Sequence, residues 1–236
     1  MITILITGAS RGLGLEFTKQ YLNRGDNVIA TCRQPENAKE LETLQKDFGK
    51  NLEIEQLDVT SKKSIADLYR KLSDKSIKIN LLINNAGIIS GNEKEGPPFG
   101  ELNKEDFSKV YQVNTVSPIL ISEKFLPLLK DVNEPKIVNI SSMSGSISNR
   151  TRSGGYAYSS SKSALNMMTK TLSNELKEME ITVVVIHPGW VQTDMGGENA
   201  PLELESSIMG IIKVIDSLSI ADTGKFYDWQ RNEIQW

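Results

Sequence analysis

Short, β-branched apolar runs alternate along the whole chain with stretches whose apolar residues recur every three or four positions. Continuous apolar runs are typical of parallel strands covered on both faces, whereas the three-to-four spacing is typical of helices. A strict alternation of the two predicts right-handed crossovers, and therefore an α/β fold with a doubly wound parallel sheet and helices on both faces. The predicted strands are Ile2–Ile6, Asn27–Thr31, Leu52–Leu57, Asn80–Asn84, Lys136–Ile140 and Thr182–Ile186, with a weaker candidate at Lys225–Asp228.

Helical patterns fill the intervals between these runs. They are found at Leu13–Tyr21, Ala38–Phe48, Ile65–Leu72, Lys104–Lys130 and Gly154–Lys177. Pro118 lies inside the first of the two long helices and is expected to kink it. The stretch Gly91–Gly100 is predicted to be a loop, and no shift in composition marks a linker. Residues 1–236 are therefore interpreted as a single domain.

The charge balance and the scarcity of cysteine and histidine exclude several classes of function. Lys and Arg number 27 against 30 Asp and Glu, which argues against a nucleic-acid-binding surface. A single cysteine, Cys32, excludes an internal disulfide, and a single histidine, His187, leaves no His-rich site, so no metal is expected. No apolar run is long enough to span a bilayer and no targeting segment is recognisable, which predicts a cytoplasmic protein without membrane contact.

A glycine-rich segment, Ile6–Gly14, follows the first predicted strand and opens the first helix. Its glycines stand at positions 8, 12 and 14, a spacing that is neither G-x-G-x-x-G nor the Walker A sequence. A tight glycine turn before a helix can nevertheless bring backbone N–H groups and the positive helix end against a pyrophosphate. Dinucleotide binding is one interpretation of this segment, and a merely flexible turn is the other.

The residues after the second predicted strand bear on the choice of dinucleotide. NAD-binding folds of this kind place a carboxylate about 20 positions beyond the glycines, on the ribose 2′-hydroxyl. Here the segment Thr31–Pro35 has no carboxylate but contains Arg33, whose guanidinium suits a 2′-phosphate, and Arg11 offers a second charge. NADP(H) is the preferred cofactor and NAD(H) the alternative, unless both arginines are ordinary surface charges.

Tyr158 and Lys162 lie four residues apart, so on a helix they occupy the same face one turn apart. A phenol with a pKa near 10 is a poor proton donor or acceptor at neutral pH, and a neighbouring ammonium lowers that pKa. Tyr156 lacks such a partner, because position 160 is a serine. The pair is either a proton-transfer site or an ordinary surface pair on a helix.

Serines follow the predicted strand Lys136–Ile140, at the edge where open parallel sheets bind ligands. Ser142 could hydrogen-bond a substrate carbonyl, with Ser141 as the second candidate. The alternative interpretation is plain turn chemistry, since serine and glycine often end strands.

Seven short segments, taken in order, resemble the motifs of the short-chain dehydrogenase/reductase family. They are TGASRGLG at 7–14, LDV at 57–59, NNAG at 84–87, Asn114 within QVNT, NISS at 139–142, YSSSK at 158–162 and PGWVQTD at 188–194. Stretches such as ATCRQP and FYDWQRNEIQW are more similar to one branch, the C-factor and sniffer-type carbonyl reductases. The resemblance implies a Rossmann-type fold and hydride transfer between a nicotinamide cofactor and a small carbonyl or alcohol substrate.

The resemblance also implies a role for each matching residue. Tyr158 would donate a proton to the carbonyl oxygen, and Lys162 would lower its pKa and bind the nicotinamide ribose. Ser142 would hold the substrate oxygen, and Asn114 would anchor a proton relay. The glycine turn would wrap the pyrophosphate, and Arg33 would bind the 2′-phosphate. Further cofactor contacts are implied for Gly8, Ser10, Arg11, Gly12, Leu13, Gly14, Asp58, Val59, Asn85, Ala86, Gly87, Pro188, Gly189, Val191 and Thr193.

The sequence departs from the common family pattern between Ser142 and Tyr158, which are 16 residues apart. The extra residues include two arginines and fall near the expected mouth of the cleft. Substrate specificity is therefore expected to come from this loop, residues 146–155, and from a substrate loop at about 194–218. Family members commonly pair through the two long helices, so the resemblance implies a homodimer or a homotetramer.

Two functions remain open at this point. The intact set of Asn114, Ser142, Tyr158 and Lys162 favours an NADP(H)-dependent oxidoreductase that reduces a ketone or aldehyde, or oxidises the matching alcohol. The similarity to C-factor suggests the alternative, an NADP-binding signalling or regulatory protein with little turnover.

Overall fold

A computed structural model, which describes residues 1–89, 97 and 99–236, contains a parallel sheet of seven strands. The strand order is β3-β2-β1-β4-β5-β6-β7, so the order reverses between β1 and β4. The sheet is of the Rossmann type, as predicted. Each predicted strand is present to within about a residue or two: β1 Thr3–Thr7, β2 Asn27–Cys32, β3 Leu52–Gln56, β4 Leu81–Asn84, β5 Lys136–Ile140, β6 Thr182–His187 and β7 Phe226–Asp228.

Helices cover both faces of the sheet, and each face has its own apolar core. Phe17, Leu41 and Ile211 pack on one face, and Leu68 and Phe125 pack on the other. In the part of the chain that the structure describes, no helix combines the length and the apolar character needed to cross a membrane. The helices are α1 Gly12–Asn23, α2 Lys39–Phe48, α3 Lys62–Asp74, α4 Lys104–Tyr111, α5 Ser117–Leu129, α6 Tyr156–Leu176 and α7 Leu204–Asp216.

The first long helix is interrupted earlier than the sequence predicts. A single π-helical stretch, Gln112–Val116, separates α4 from α5 and contains Asn114. Pro118, the expected site of the kink, lies instead in the first turn of α5, where its missing N–H costs little. Such π-bulges insert one residue into the helical register and are common at functional sites. The predicted loop Gly91–Gly100 falls for the most part outside the described residues.

The segment 194–218, expected to be a loop, is largely the helix α7. Ile208, Ile211, Val214 and Ile215 of this helix are buried against the core that α1 also covers. The three-to-four spacing of these residues indicates a helix, and this helix occupies most of the expected substrate loop. Only residues 194–203 and 217–218 of this segment lie outside α7, so the part that can adapt to a substrate is shorter than expected.

Buried amides connect β4, which borders the reversal point, with β5 and α6. The Asn84 side chain on β4 donates to Oδ1 of Asn139 on β5 at 2.8 Å, and Asn139 donates to Oγ1 of Thr169 on α6 at 2.8 Å. All three residues are buried, so an unpaired partner would carry the full desolvation cost. This ladder fixes α6 against the carboxyl ends of the two strands.

Phe125 tests the core on the α5 side, because it is fully buried and packs edge-on against Tyr69 with ring centroids 6.0 Å apart. We expect Phe125→Ala to lower the free energy of unfolding by about 3–5 kcal/mol, since it removes a large side chain and leaves a cavity. Phe99→Ala is the matched control, because Phe99 is 83% exposed, and it should cost less than about 1 kcal/mol. Urea unfolding of both variants measures the difference; equal losses would contradict this core.

Candidate active site

A cavity of about 1090 Å³ opens at the carboxyl ends of the strands, around the point where the strand order reverses. Ligands in open α/β sheets bind at this position. Two of the residues implicated by the sequence, Gly14 and Asn114, lie outside the lining. The cavity is lined by all the others: Gly8, Ser10, Arg11, Gly12, Leu13, Arg33, Asp58, Val59, Asn85, Ala86, Gly87, Ser142, Tyr158, Lys162, Pro188, Gly189, Val191 and Thr193.

The glycines of the turn before α1 are required for different structural reasons. Gly8 and Gly12 have φ angles of +69° and +54°, a left-handed conformation that glycine adopts without strain. A Cβ at Gly8 would also come within 2.9 Å of the Ala86 Cα. Gly14 faces the protein instead of the cavity, and a Cβ there would lie 2.6 Å from Nδ2 of Asn85. The turn therefore keeps its backbone open to the cavity at Gly8 and Gly12 and packs tightly behind them.

Asn85 and Thr7 hold this turn against the end of β4. The Asn85 side chain donates to the carbonyl oxygens of Thr7 at 2.9 Å and Gly8 at 3.1 Å. In return, Oγ1 of Thr7 accepts from the backbone N–H groups of Asn85 and Ala86, both at 3.0 Å. Sequence patterns do not predict the contribution of Thr7, because a threonine at the end of a strand carries no sequence signal for a long-range contact.

Arg33 marks one end of the cavity, beyond β2. Asp58 lies on the same side, and Oδ1 of this residue accepts from the Thr60 hydroxyl at 2.7 Å and the Thr60 N–H at 2.9 Å. These hydrogen bonds, with a smaller contribution from Arg33, hold the pKa of Asp58 below its ordinary value. Arg11 reaches across the opening to Asp194 at 3.4 Å, but both side chains are highly exposed, so this ion pair is weak.

Tyr158 and Lys162 meet the cavity from one edge of α6. The Lys162 ammonium is buried, donates to the carbonyl oxygen of Ile140 at 2.8 Å, and lies 5.8 Å from the centre of the Tyr158 ring. Burial lowers the pKa of Lys162 to about 8. Gly87 leaves room beside this group, since a Cβ there would lie 3.7 Å from Nζ. With this pKa the lysine is still largely charged at physiological pH, and it lies adjacent to the phenol.

The pKa of Tyr158 is raised above its ordinary value, because burial outweighs a hydrogen bond with Ser142. The expected lowering by Lys162 is not present in this geometry, since its ammonium is directed at the Ile140 carbonyl. Tyr158 is thus a protonated donor in the resting site. Tyr156, which has no lysine four residues later, is exposed and lies outside the cavity lining.

The contacts of Ser142 and Ser141 show which of the two serine candidates faces the cavity. Ser141 is buried and donates to Oδ1 of Asn166 at 2.8 Å, so its hydroxyl serves the packing of α6. Ser142 faces the cavity beside Tyr158, and its Oγ accepts from the Ser144 N–H at 3.1 Å. The turn that follows packs directly on α6, because a Cβ at Gly145 would lie 2.8 Å from the Lys162 carbonyl carbon.

Asn114 acts from behind the cavity wall. Its side-chain amide exchanges two hydrogen bonds of 2.8 Å with the backbone of Ile88 and donates to Oγ of Ser161 at 3.1 Å. The π-helical stretch turns this residue toward the segment that follows β4. Asn114 therefore fixes the backbone around Gly87, where Lys162 lies.

His187 lines the cavity at the end of β6, and its Nδ1 is buried with no hydrogen-bond partner among the described residues. Burial lowers its pKa to about 4, so the imidazole is neutral at physiological pH. Across residues 1–89, 97 and 99–236, no group of three potential metal ligands is present.

The buried ammonium makes stability depend on pH in a direction that can be measured. Folding lowers the pKa of Lys162 from 10.5 to about 8, so between these values the unfolded chain binds more protons than the folded one. The folded state therefore gains about 3 kcal/mol as the pH rises from 8 to 10.5. Urea unfolding should show this gain in the parent protein but not in Lys162→Met; parallel stability curves would contradict it.

Comparisons with known proteins agree with this geometry. A family model described as short chain dehydrogenase matches residues 2–203. The C-signal of Myxococcus xanthus is 36% identical over 158 residues, which cover 67% of this chain and 93% of that protein. The carbonyl reductase Sniffer of D. melanogaster has a TM-score of 0.94 and 37% identity over 100% of both chains. An NADPH-bound carbonyl reductase from chicken fatty liver has a TM-score of 0.93 and 36% identity, covering 100% of this chain and 99% of that one.

The matched region contains the glycine turn, the buried lysine and the tyrosine that share the cavity. The similarity to the solved structure of Sniffer extends over the whole of both chains. This chain belongs to the short-chain dehydrogenase/reductase family.

Proposed function

We propose that this protein is an NADP(H)-dependent oxidoreductase, a single domain that reduces a ketone or aldehyde, or oxidises the corresponding alcohol. The observation that carries the proposal is the presence of Ser142, Tyr158 and Lys162 on one wall of a cavity that also contains the open glycine turn. The carbonyl reductase activity named for the similar structures supports the same substrate class. The arrangement is suited to proton transfer next to a bound dinucleotide.

The residues of the cavity fit a dinucleotide. The left-handed glycines Gly8 and Gly12 keep side chains away from the backbone N–H groups at the start of α1, where a pyrophosphate would be held. Asn85, Ala86 and Gly87 would line the nicotinamide ribose, and the segment Pro188–Thr193 would hold the carboxamide. When bound, the cofactor supplies the hydride.

Proton transfer is assigned to Tyr158. Its hydroxyl, protonated in the resting site, would donate its proton to the carbonyl oxygen of the substrate, while Ser142 holds that oxygen by a second hydrogen bond. Lys162, one helical turn away, stabilises the phenolate that remains, because an ammonium nearby favours the charged form. Asn114 fixes the backbone next to the lysine and so keeps the relay in position.

Arg33 supports NADP(H) over NAD(H). It lies exposed at the end of the cavity, and the segment Thr31–Pro35 offers no carboxylate that would bind a free ribose 2′-hydroxyl. A guanidinium binds a phosphate through charge-assisted, paired hydrogen bonds. NADP bound to several similar structures agrees with this preference, and NAD(H) remains the alternative cofactor.

Exposed apolar side chains support association through the long helices. Val116 at the end of the π-helical stretch and Leu120 on α5 are exposed, and so are Met167 and Met168 on α6. Apolar groups that cluster on a surface mark contact sites in soluble proteins. We propose a homodimer or homotetramer formed through these two helices, acting in the cytoplasm on a small substrate.

The similarity to the Myxococcus C-signal favours a second candidate, a dinucleotide-binding signalling protein with little turnover. Such a protein has no use for a complete set of proton-transfer groups. The intact set of Asn114, Ser142, Tyr158 and Lys162 therefore favours the enzyme. NADPH binding without turnover of any quinone, diketone or aromatic aldehyde would favour the signalling protein.

Tyr158→Phe tests the assignment of the proton donor. The variant keeps the ring but loses the hydroxyl, so we expect turnover of aromatic aldehydes to fall by about 10²-fold or more, while NADPH still binds. Tyr156→Phe is the matched control, since Tyr156 is exposed two residues earlier on the same helix, and its turnover should equal that of the parent. The decrease in NADPH absorbance measures both; equal rates in all three proteins would reject the mechanism.

Arg33→Gln tests the choice of cofactor. Loss of the guanidinium should raise the Kd for NADPH by about tenfold or more and leave the Kd for NADH nearly unchanged, since only NADPH carries the 2′-phosphate. Arg70→Gln on α3 removes the same charge at an exposed site outside the cavity and should change neither constant. Fluorescence titration gives both values. An unchanged NADPH affinity in Arg33→Gln would show that the 2′-phosphate is bound elsewhere.

A further inference from the structure

Positively charged side chains lie at both ends of the cavity, and the two groups would bind different anions. Arg33 lies beyond β2, whereas Ser142 follows β5, three strand positions away. Neighbouring strands are about 4.8 Å apart, so the two ends are separated by roughly 14 Å. Lys109 from α4, with Arg150 and Arg152 from the loop before α6, also lines the cavity. Arg33 at the first end would bind the 2′-phosphate of the cofactor. The proposed cofactor site gives no role to the other three cations.

The acidic residues of the lining do not neutralise these three cations. Asp194 pairs with Arg11, and Asp58 is occupied by Thr60 close to Arg33. Within the ranges that the structure describes, Lys109, Arg150 and Arg152 form no ion pair with a carboxylate. A concentration of like charge in a cleft raises the local concentration of anions and destabilises the protein unless an anion binds.

Arg150 is held in place before any ligand arrives. Its Nη2 atom donates to the carbonyl oxygens of Ser153 and Gly154, immediately before α6, and the residue is only half-exposed. The guanidinium has five N–H donors, so most of them remain available. Arg152 is exposed at the same opening and makes no side-chain hydrogen bond within the described chain. The opening of the cavity therefore has one guanidinium that is held in place, Arg150, and one that can reorient, Arg152.

Apolar side chains lie at the same opening. Met143, Trp190 and Met195 all line the cavity and are 39–50% exposed. Exposed large apolar groups in a cleft indicate a ligand with an apolar body. The opening therefore offers a hydrogen-bonding site at Ser142 and Tyr158, an apolar surface, and a cationic rim.

We propose that Arg150 and Arg152, assisted by Lys109, form a carboxylate-binding subsite, and that the substrates are aromatic or other apolar carbonyl compounds that carry a carboxylate remote from the reacting carbonyl. The proposal rests on the proposed carbonyl reduction and specifies its substrate class. Arginine binds carboxylates through two parallel hydrogen bonds, which would orient the substrate as well as hold it. The loop that distinguishes this chain between Ser142 and Tyr158 thereby acquires a function.

The test compares two aldehydes that differ in charge, 4-carboxybenzaldehyde and its neutral methyl ester, methyl 4-formylbenzoate, with NADPH as reductant. We expect kcat/KM for the acid to exceed that for the ester by about tenfold or more in the parent protein. In the double variant R150Q/R152Q the acid-to-ester ratio should fall by at least about tenfold, mainly through KM. Arg70→Gln is the control, because it makes the same substitution outside the cavity, and it should leave the acid-to-ester ratio unchanged.

A ratio near one in the parent, or an unchanged ratio in the double variant, would overturn the subsite while carbonyl reduction stands. Equal loss of both aldehydes would also overturn it, because the arginines would then only shape the loop. If no aldehyde is reduced, calorimetric titration of the NADP-loaded protein with benzoate and benzamide decides the question without turnover. Binding of benzoate alone, lost in R150Q/R152Q, supports the subsite; equal or absent binding overturns it.

Discussion

The burial of one ammonium group sets the geometry of the whole catalytic end. Lys162 is enclosed between α6 and the segment after β5, and its single protein hydrogen bond within the described chain goes to the Ile140 carbonyl. Taking an ammonium out of water is unfavourable, and the lowered pKa of this lysine expresses that cost. The surrounding packing must compensate, so the residues next to the lysine are tightly constrained and those at the rim are not.

Two sets of contacts supply this compensation. The ladder of Asn84, Asn139 and Thr169 fixes α6 to the middle of the sheet, and Thr7 with Asn85 joins the ends of β1 and β4. Both are made of buried polar groups that are costly to leave unpaired. The cavity is therefore a gap between rigid edges, which suits a site where reacting atoms must be held to a fraction of an ångström.

Local patterns were sufficient to predict the sheet, its edge and the residues that gather there. The alternation of strands and helices predicts the Rossmann-type sheet, and the four-residue spacing of Tyr158 and Lys162 places both on one wall of the cavity. What local patterns do not contain is the outcome of competing tertiary forces. The π-helical stretch at Asn114 reflects long-range bonds to Ile88, and the raised pKa of Tyr158 reflects burial that exceeds the influence of its neighbours. The apolar spacing of 208–215 does indicate the helix α7, whereas the expectation of a substrate loop at 194–218 does not.

The contact between Gly145 and the backbone of Lys162 separates two parts of the protein that adjoin in sequence. Up to Gly145 the chain is pinned to α6, and Ser163 and Asn166 both donate to the Gly145 carbonyl at 3.0 and 3.1 Å. The next residues are fixed to the C-terminal end instead, because Ser146 is buried and donates to the Gln235 carbonyl and the Ser148 N–H donates to the Trp236 carbonyl. Residues 150–155 return to α6 only at its first turn, so their composition can change with less effect on the proton-transfer groups. Substitutions in residues 150–155 can therefore alter which substrates bind at the opening of the cavity. The proton-transfer groups would stay unchanged, so related proteins can carry out the same reaction on different metabolites.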